Sequence, residues 1–425
     1  MKNQIEKNKP LKNIGRKPEL LVLDASYTLE MLVERGMMHS VLCRDLDGFF
    51  FHVWSVHPFA SLLSSEKSAT RFGDCVYHSL TPRHTFIEGK VGRFNFLSRY
   101  PRINFFVAQF SLFISLLFLI WRRPIRIIRV GDPLYLGIFG LVLSALTRSR
   151  LVIRVNGNNV RLRKDTGNAV YPKLFGSSGC EERIENFVLP RADLVAAPNH
   201  DNAEFATACG ALSGRVTIFP YGNLLAPEHF SEPTTCVCDI DMFRDLGIEP
   251  RKYLLLVGRL EPLKFPDDVV RAFAEIRQRG IDVKLVLAGN GNMLSELKIL
   301  SYTMNVQDHI IFAGNQNQRS LRQLYTFAST VISPLTGRAL SEAALCACPI
   351  VAYDLDWQGE LITNGETGAL VPFRSWQTIA NEVEQFLLKP DLAAKMGQNA
   401  RLRALSMFDP VLLNEHERGQ YIKLL

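Results

Sequence analysis

The chain has 425 residues, too many for one compact core at about 150 residues per domain, so two or three domains are expected. Apolar residues make up 47% and charged residues 21%, which excludes a disordered or fibrous chain. The net charge of +7 favours anionic partners (phosphates, nucleic acid or an anionic membrane face) without choosing among them.

Residues 1–18 are basic and polar and read as a tail, disordered or grazing a membrane. The apolar run Leu20–Leu23 stops at Asp24 and is too short for a signal-peptide core. Short apolar runs at Leu20–Leu23, Phe51–Val56, Ile125–Val130, Leu151–Val155, Leu194–Ala196 and Val216–Phe219 read as strands, each closed by Asp, Asn, Gly or Pro. Stretches of helical length, such as Tyr135–Leu146, fall between several of them. That alternation predicts a parallel sheet with covering helices over residues 19–228.

Within this half, Phe105–Trp121 is apolar apart from Gln109, Ser111 and Ser115, and arginines stand on both sides. About 17 residues is the lower limit for a bilayer span. A strand-like run and Gly131-Asp132-Pro133 follow at once, which favours a core or surface helix feeding a parallel strand. A helix lying on a membrane face and a true span are the alternatives.

From Ala226 to Arg251 the texture changes to Pro, Glu and Thr, and residues 229–250 read as a linker. The second half then repeats the alternation. Tyr253–Val257, Val283–Ala288, Ile310–Phe312, Val331–Ser333 and Ile350–Tyr353 read as strands, with a helix over Asp267–Gln278. Residues 251–400 form the second α/β domain, and 401–425 a helical segment that could cross back to the first. The eight cysteines form no CxxC pair and no Cys/His zinc spacing, so reduced thiols are expected.

In an open parallel sheet, ligands sit beyond the carboxyl ends of the strands. After Tyr253–Val257 come Gly258 and Arg259, then Lys264. The glycine permits a tight turn, and the two cations can converge on a diphosphate. Gly289-Asn290-Gly291 follows the next strand, where glycines allow a ligand close to the backbone, and Gly314 follows the one after. The strongest local group is Ser333-Pro-Leu-Thr336-Gly337-Arg338-Ala339-Leu340-Ser-Glu342. There a strand ends, a glycine loop turns and a helix begins, so backbone N–H groups can face a phosphate. Glu342 can accept from paired ribose hydroxyls; its alternative role is a favourable acid near a helix N-terminus.

Taken in order, Gly258-Arg259…Lys264, Leu287-Ala-Gly289-Asn-Gly291, Ile311-Phe-Ala-Gly314, Leu324-Tyr325…Ala328, Glu342-Ala…Pro349-Ile-Val351-Ala and Glu360-Leu-Ile-Thr-Asn-Gly365-Glu-Thr-Gly368 resemble the retaining glycosyltransferases of GT-B architecture, the family-4 class. The likeness covers about Tyr253 to Phe408. It implies an α/β fold of two Rossmann-like domains facing across a cleft, with a nucleotide-diphosphate sugar as co-substrate and neither cofactor nor metal. It gives the diphosphate to Arg259 and Lys264 and the ribose to Glu342. Gly258, Gly289, Gly291, Gly314, Thr336, Gly337, Arg338, Ala339 and Leu340 are expected around the donor.

The sequence departs from the family pattern in five places. Pro334 stands where the first of two spaced glutamates belongs, so Thr336 or Arg338 is expected to meet the sugar. Phe265 follows Lys264 where glycine is usual, and Ala347 and Cys348 stand where Gly and Thr are frequent. In the first half, Ile128-Arg-Val-Gly-Asp132 and Val152-Ile-Arg-Val155-Asn156-Gly-Asn158 resemble the family's acceptor-side strand ends, with Asn156 in place of a histidine. His57, Asp132, Asn156 and Asn158 are therefore acceptor-side candidates, Asp132 and Asn156 with a share in catalysis; a lone His57 is otherwise structural. Asp239 and Asp241 have metal-chelating spacing but lie in the linker.

The expected reaction is sugar transfer to a glycan or lipid-linked acceptor with retention of configuration. A sugar-nucleotide epimerase or hydrolase and a non-catalytic binder are the alternatives. Partners expected besides the donor and acceptor are an anionic membrane surface and not nucleic acid. The expected location is the cytoplasm, peripheral on its membrane face.

Overall fold

The computed structural model describes residues 17–24, 27–34, 36–60, 71–220 and 224–425. Nearly all of the tail read over 1–18 lies outside them.

The chain builds two sheets. The first contains β1 (Glu19–Leu23), β2 (Val53–His57), β3 (Val76–Thr81), β4 (His84–Glu88), β5 (Ile125–Val130), β6 (Arg150–Arg154), β7 (Leu194–Ala197) and β8 (Val216–Ile218). Their order is β3-β4-β2-β1-β5-β6-β7-β8, parallel except for the antiparallel β3–β4 pair. The continuous apolar run of β1 explains its place at the centre. Leu21 and Leu23 enter one core cluster and Leu20 and Val22 the other, so both faces are covered. The β3–β4 hairpin was not foreseen. The residues of β3 are exposed or half-buried and carry no continuous apolar run, as suits an antiparallel edge.

The second sheet contains β9 (Tyr253–Val257), β10 (Lys284–Ala288), β11 (Ile310–Gly314), β12 (Thr330–Ser333), β13 (Ile350–Tyr353) and β14 (Ala369–Val371). Its order is β11-β10-β9-β12-β13-β14, parallel throughout. This is the doubly wound order, with its switch point between β9 and β12, where a crevice opens beyond the strand ends. Leu254 and Leu256 pack to one side and Tyr253, Leu255 and Val257 to the other.

The stretch 229–250 is not a free connection. It contains the helix Ile240–Asp245, and Phe243 and Ile248 are buried with Tyr253 and Leu255 in the second domain. Asp239 caps that helix by accepting from the Met242 N–H at 3.2 Å, and Asp241 pairs with Arg244 at 2.6 Å. Both carboxylates are thus engaged locally. All eight cysteines are free thiols.

The last helix, Pro410–Leu424, returns to the first domain. Tyr421 lies in the cluster that holds Leu20 and Val22, and Arg129 of β5 donates to Glu417 at 2.9 Å with both side chains buried. The apolar segment Phe105–Trp121 belongs to one helix, Pro101–Arg122. Leu112, Leu116, Leu117 and Ile120 join the first domain's core, so one side of this helix is a core element.

Candidate active site

A cleft of about 700 Å³ lies between the carboxyl ends of the two sheets. The second domain lines it with Gly258, Arg259, Lys264, Gly289, Thr336, Gly337, Arg338, Ala339 and Glu342. These come from the loops after β9, β10 and β12 and from the first turns of the helix Arg338–Leu345, on both sides of the switch point.

Two glycines have a stated steric reason. A Cβ on Gly289 would stand 1.8 Å from the carbonyl oxygen of Gly258, so the loops after β9 and β10 can touch only with glycine there. Gly337 caps the helix Arg338–Leu345 with φ 65° and ψ −122°, a conformation closed to residues with a Cβ. It turns the chain so that this helix starts at the cleft.

Lys264 ends a short 3₁₀ turn, Pro262–Lys264. Burial, and next the charge of Arg259, push its ammonium down to about 8. Arg259 is exposed and held by Glu261, Nη1 to Oε1 at 2.9 Å. Phe265 follows in the left-handed region, φ 50°, where the family pattern leads one to expect glycine. A bulky residue there costs about 1–2 kcal/mol. Its ring is buried and packs edge-on against Tyr353 and Phe373, and Arg374 lies 5.2 Å from its centre. Those contacts offset the strain. Ala347, φ 54°, shows the same backbone demand met by a residue with a Cβ.

Glu342 is only 4% exposed. Its Oε2 accepts from the Tyr325 hydroxyl at 3.1 Å, and its Oε1 is 3.7 Å from Arg338 Nε. Burial and the neighbouring carboxylate hold the Tyr325 hydroxyl well above its usual range, so it stays a donor. Arg338 also reaches Leu224 O at 3.4 Å and the Met37 sulfur at 3.8 Å, spanning both halves of the chain. Thr336 is buried and hydrogen-bonded to Ser333 through their hydroxyls.

Three expected donor residues stand elsewhere. Leu340 is fully buried in the core behind the helix. Gly291 packs on the Leu260 carbonyl, which a Cβ would meet at 2.2 Å. Gly314 ends β11 outside the set that lines the cleft.

On the first domain, His57 and Asn156 line the cleft, as does Asn158. His57 is buried at the end of β2 and stacks on Phe86 with ring centres 4.4 Å apart. Asn156 donates to Gly131 O at 2.8 Å, tying the ends of β5 and β6 together. Asn158 is a helix cap: its oxygen accepts from Arg161 N at 3.1 Å. Asp132 does not line the cleft. Its carboxylate accepts from the N–H groups of Leu134 (2.8 Å) and Leu136 (3.3 Å), at the start of the helix Tyr135–Thr147. Burial raises it to about 7 despite those donors.

Sequence reasoning missed Asp24, Arg44 and Asp356, which also line the cleft. Asp24 and Arg44 form an ion pair at 2.5 Å. Asp356 is pushed up to about 6, first by burial and then by Asp201 of the other domain. Asp24 and Asp356 follow β1 and β13, so the strand-end rule could have found them; Arg44, in the 3₁₀ turn Cys43–Asp45, follows no strand and offered no such signal. Beside Asp356, Glu360 accepts from His200 N at 2.9 Å, a further bond between the halves.

Residues 240–403 match the family model described as glycosyl transferases group 1. The chain carries a group 1 glycosyltransferase domain. Among curated proteins this chain is similar to an alpha-D-kanosaminyltransferase of Streptomyces kanamyceticus, 27% identical over 41% of this chain and 47% of that protein. It is likewise similar to a D-inositol 3-phosphate glycosyltransferase of Actinosynnema mirum, 32% identical over 37% of this chain and 41% of that protein. The aligned segment thus spans less than half the length of these relatives. The fold is shared over nearly the whole chain. Anabaena HepE in complex with UDP and glucose covers 96% of this chain and 100% of its own, with a TM-score of 0.70 at 16% identity. Sucrose-phosphate synthase from Thermosynechococcus elongatus covers 96% and 99%, with a TM-score of 0.72 at 17% identity. The architecture is therefore GT-B: two Rossmann-like domains with the group 1 domain on the carboxyl side of the cleft. Among the described residues, no three His, Cys, Asp or Glu side chains are grouped to hold a metal ion.

Proposed function

We propose that this protein transfers a sugar from a nucleotide-diphosphate sugar to a hydroxyl on a glycan or lipid-linked acceptor, with retention of anomeric configuration and without a metal. The observation that carries this reading is the meeting of Arg259, Lys264, the start of the Arg338–Leu345 helix and the buried Glu342 in one cleft. The group 1 match and the UDP held by HepE, a protein of the same fold, support it.

In this reading the diphosphate lies against Lys264 and Arg259. Their charges, with the helix N-terminus, stabilise the negative charge that grows on the leaving phosphate as the glycosidic bond breaks. Glu342 holds the ribose through the oxygen that Tyr325 leaves available. Thr336 and Arg338 both line the cleft, Arg338 reaching Met37 of the first domain at 3.8 Å, and these two are the residues proposed to meet the sugar. Departure and attack on one face, with the departing phosphate taking the acceptor's proton, would give retention. No side chain in the cleft is assigned as a covalent nucleophile.

The test is incubation with a panel of nucleotide sugars and acceptors, with the anomeric proton of the product read by NMR. An α-linked product from an α-linked donor that persists in EDTA is expected. An inverted product, or activity that returns only with magnesium or manganese, would overturn the corresponding part. Nucleotide-sugar turnover that ignores every acceptor would instead favour an epimerase or hydrolase.

A further inference from the structure

We propose that the helix Pro101–Arg122 and the segment before it dock the protein on an anionic lipid bilayer, with the helix lying along the membrane face. Ile103, Phe106, Phe110, Phe118 and Trp121 are all exposed, Phe110 by 66% and Trp121 by 60%. At 3.6 residues per turn they fall within about 120° of the helix circumference, on one side of the helix, with Val107 and Ile114 half-buried and Leu117 buried between them. Isolated exposed apolar residues need no explanation, but an exposed aromatic stripe along a 22-residue helix marks an interaction surface.

Charge selects the partner. No acidic residue occurs between Glu88 and Asp132. Arg93, Arg123 and Arg129 pair with Asp74, Glu19 and Glu417, while Arg99, Arg102, Arg122 and Arg126 are exposed. Arg99 and Arg102 are exposed at the start of the stripe and Arg122 at its end, so both ends can meet lipid phosphates. Tyr100 and Trp121 stand exposed at the same two ends, and such rings favour the boundary between headgroups and acyl chains.

The opposite side of the helix rules out a free span. Asn104 accepts from the N–H groups of Arg93 (2.6 Å) and Phe94 (2.9 Å) and donates to Phe94 O at 2.7 Å. Gln109 donates to Pro58 O at 3.1 Å and accepts from the Tyr135 hydroxyl at 2.9 Å. The helix is therefore fastened to the domain along its inner face and offers only its outer face to lipid. The Gln109–Pro58 contact sets the inner face of the helix beside the end of β2, where His57 lines the cleft. The proposal does not rest on the transferase reading.

The experiment is co-sedimentation of the full chain with vesicles of phosphatidylcholine alone or mixed with phosphatidylglycerol, at about 0.1 M and about 1 M salt. Binding to the anionic vesicles, weakened by salt and accompanied by a blue shift of tryptophan emission, is expected. The Phe106→Ser/Phe110→Ser/Trp121→Ser variant should lose at least about tenfold of that binding. The Arg99→Glu/Arg102→Glu variant, which leaves the apolar packing untouched, should lose it too, and both should keep the wild-type melting temperature to within a few degrees. Equal sedimentation with neutral vesicles, or full binding by both variants, would overturn the proposal. So would a wild-type dimer that the triple variant dissolves, which assigns the stripe to a second copy. Release by detergent alone, and not by salt, would assign the helix to the bilayer interior and overturn it as well.

Discussion

The Tyr325 hydroxyl donates to Glu342 at 3.1 Å inside the second domain, fixing one carboxylate oxygen and leaving the other at the cleft beside Arg338. This arrangement favours a binding role over a helix-terminus role, since the carboxylate is oriented by a neutral donor from a different helix. Glu342→Gln should keep the fold and weaken nucleoside diphosphate binding by about 1–3 kcal/mol, a charged acceptor being replaced by a neutral one. For the 2′,3′-dideoxy nucleoside diphosphate the loss should be far smaller. Titration calorimetry with both ligands checks this; equal losses would remove the ribose from Glu342.

Burial, and next the charge of Arg259, push the Lys264 ammonium down to about 8. A bound diphosphate favours the ammonium, so it must raise that value, and affinity is then highest below about pH 8 and falls as pH rises through it. Lys264→Arg keeps its charge at every accessible pH and should flatten the profile between pH 7 and pH 9. Lys264→Ala should lower affinity at pH 7 by about 2 kcal/mol or more. A wild-type profile without decline above pH 8 would contradict the burial of this charge.

Asp132 makes the opposite kind of prediction, about stability. Its folded value, about 7, lies above that of an unfolded carboxyl, so its contribution is an added cost that grows as pH rises from about 4 to about 7. Asp132→Asn keeps an oxygen for the Leu134 and Leu136 N–H groups and removes the charge. It should stabilise the protein by about 1 kcal/mol at pH 8 and by less at pH 5. Urea unfolding at the two pH values reads the difference; a variant less stable at pH 8 would show that the charged form is the one the helix start prefers.

Arg129 and Glu417 fasten the last helix to the first sheet through a buried pair. Arg129→Met leaves Glu417 buried without its cation and should cost about 3–5 kcal/mol. The double change Arg129→Met with Glu417→Leu should recover much of that loss. Limited proteolysis after residue 408 should accelerate in the single variant only. Equal resistance in all three proteins would mean that the pair does not hold the helix.

Much of the second domain could be read from local sequence. Its strands are continuous apolar runs because both faces of a parallel sheet are covered, and its cleft residues follow them directly, as Gly258, Arg259 and Gly289 do. The requirement for glycine at Gly337 is likewise local, since it comes from that residue's own backbone angles, whereas the requirement at Gly289 comes from the Gly258 carbonyl on the neighbouring loop. The same logic says nothing of side-chain direction: Leu340, on the helix that starts at the cleft, turns its side chain into the core. It misplaced Asp132 because a carboxylate at a strand end can cap the next helix as easily as meet a ligand.

By itself the sequence determined the strand–helix alternation, the two-sheet α/β fold and the loops that carry the phosphate-facing cations, because these depend on periods and turns of a few residues. Only the tertiary structure decided which distant side chains share the cleft. Arg44 and Asp24, or Asp356 and Asp201, meet because crossovers and the domain interface bring them together. Tertiary packing also decided that the Pro101–Arg122 helix is half core and half exposed, and that Glu417 returns to Arg129 across 288 residues of chain. Contacts of that range follow from how whole elements pack, and a short stretch of sequence carries no period that records them.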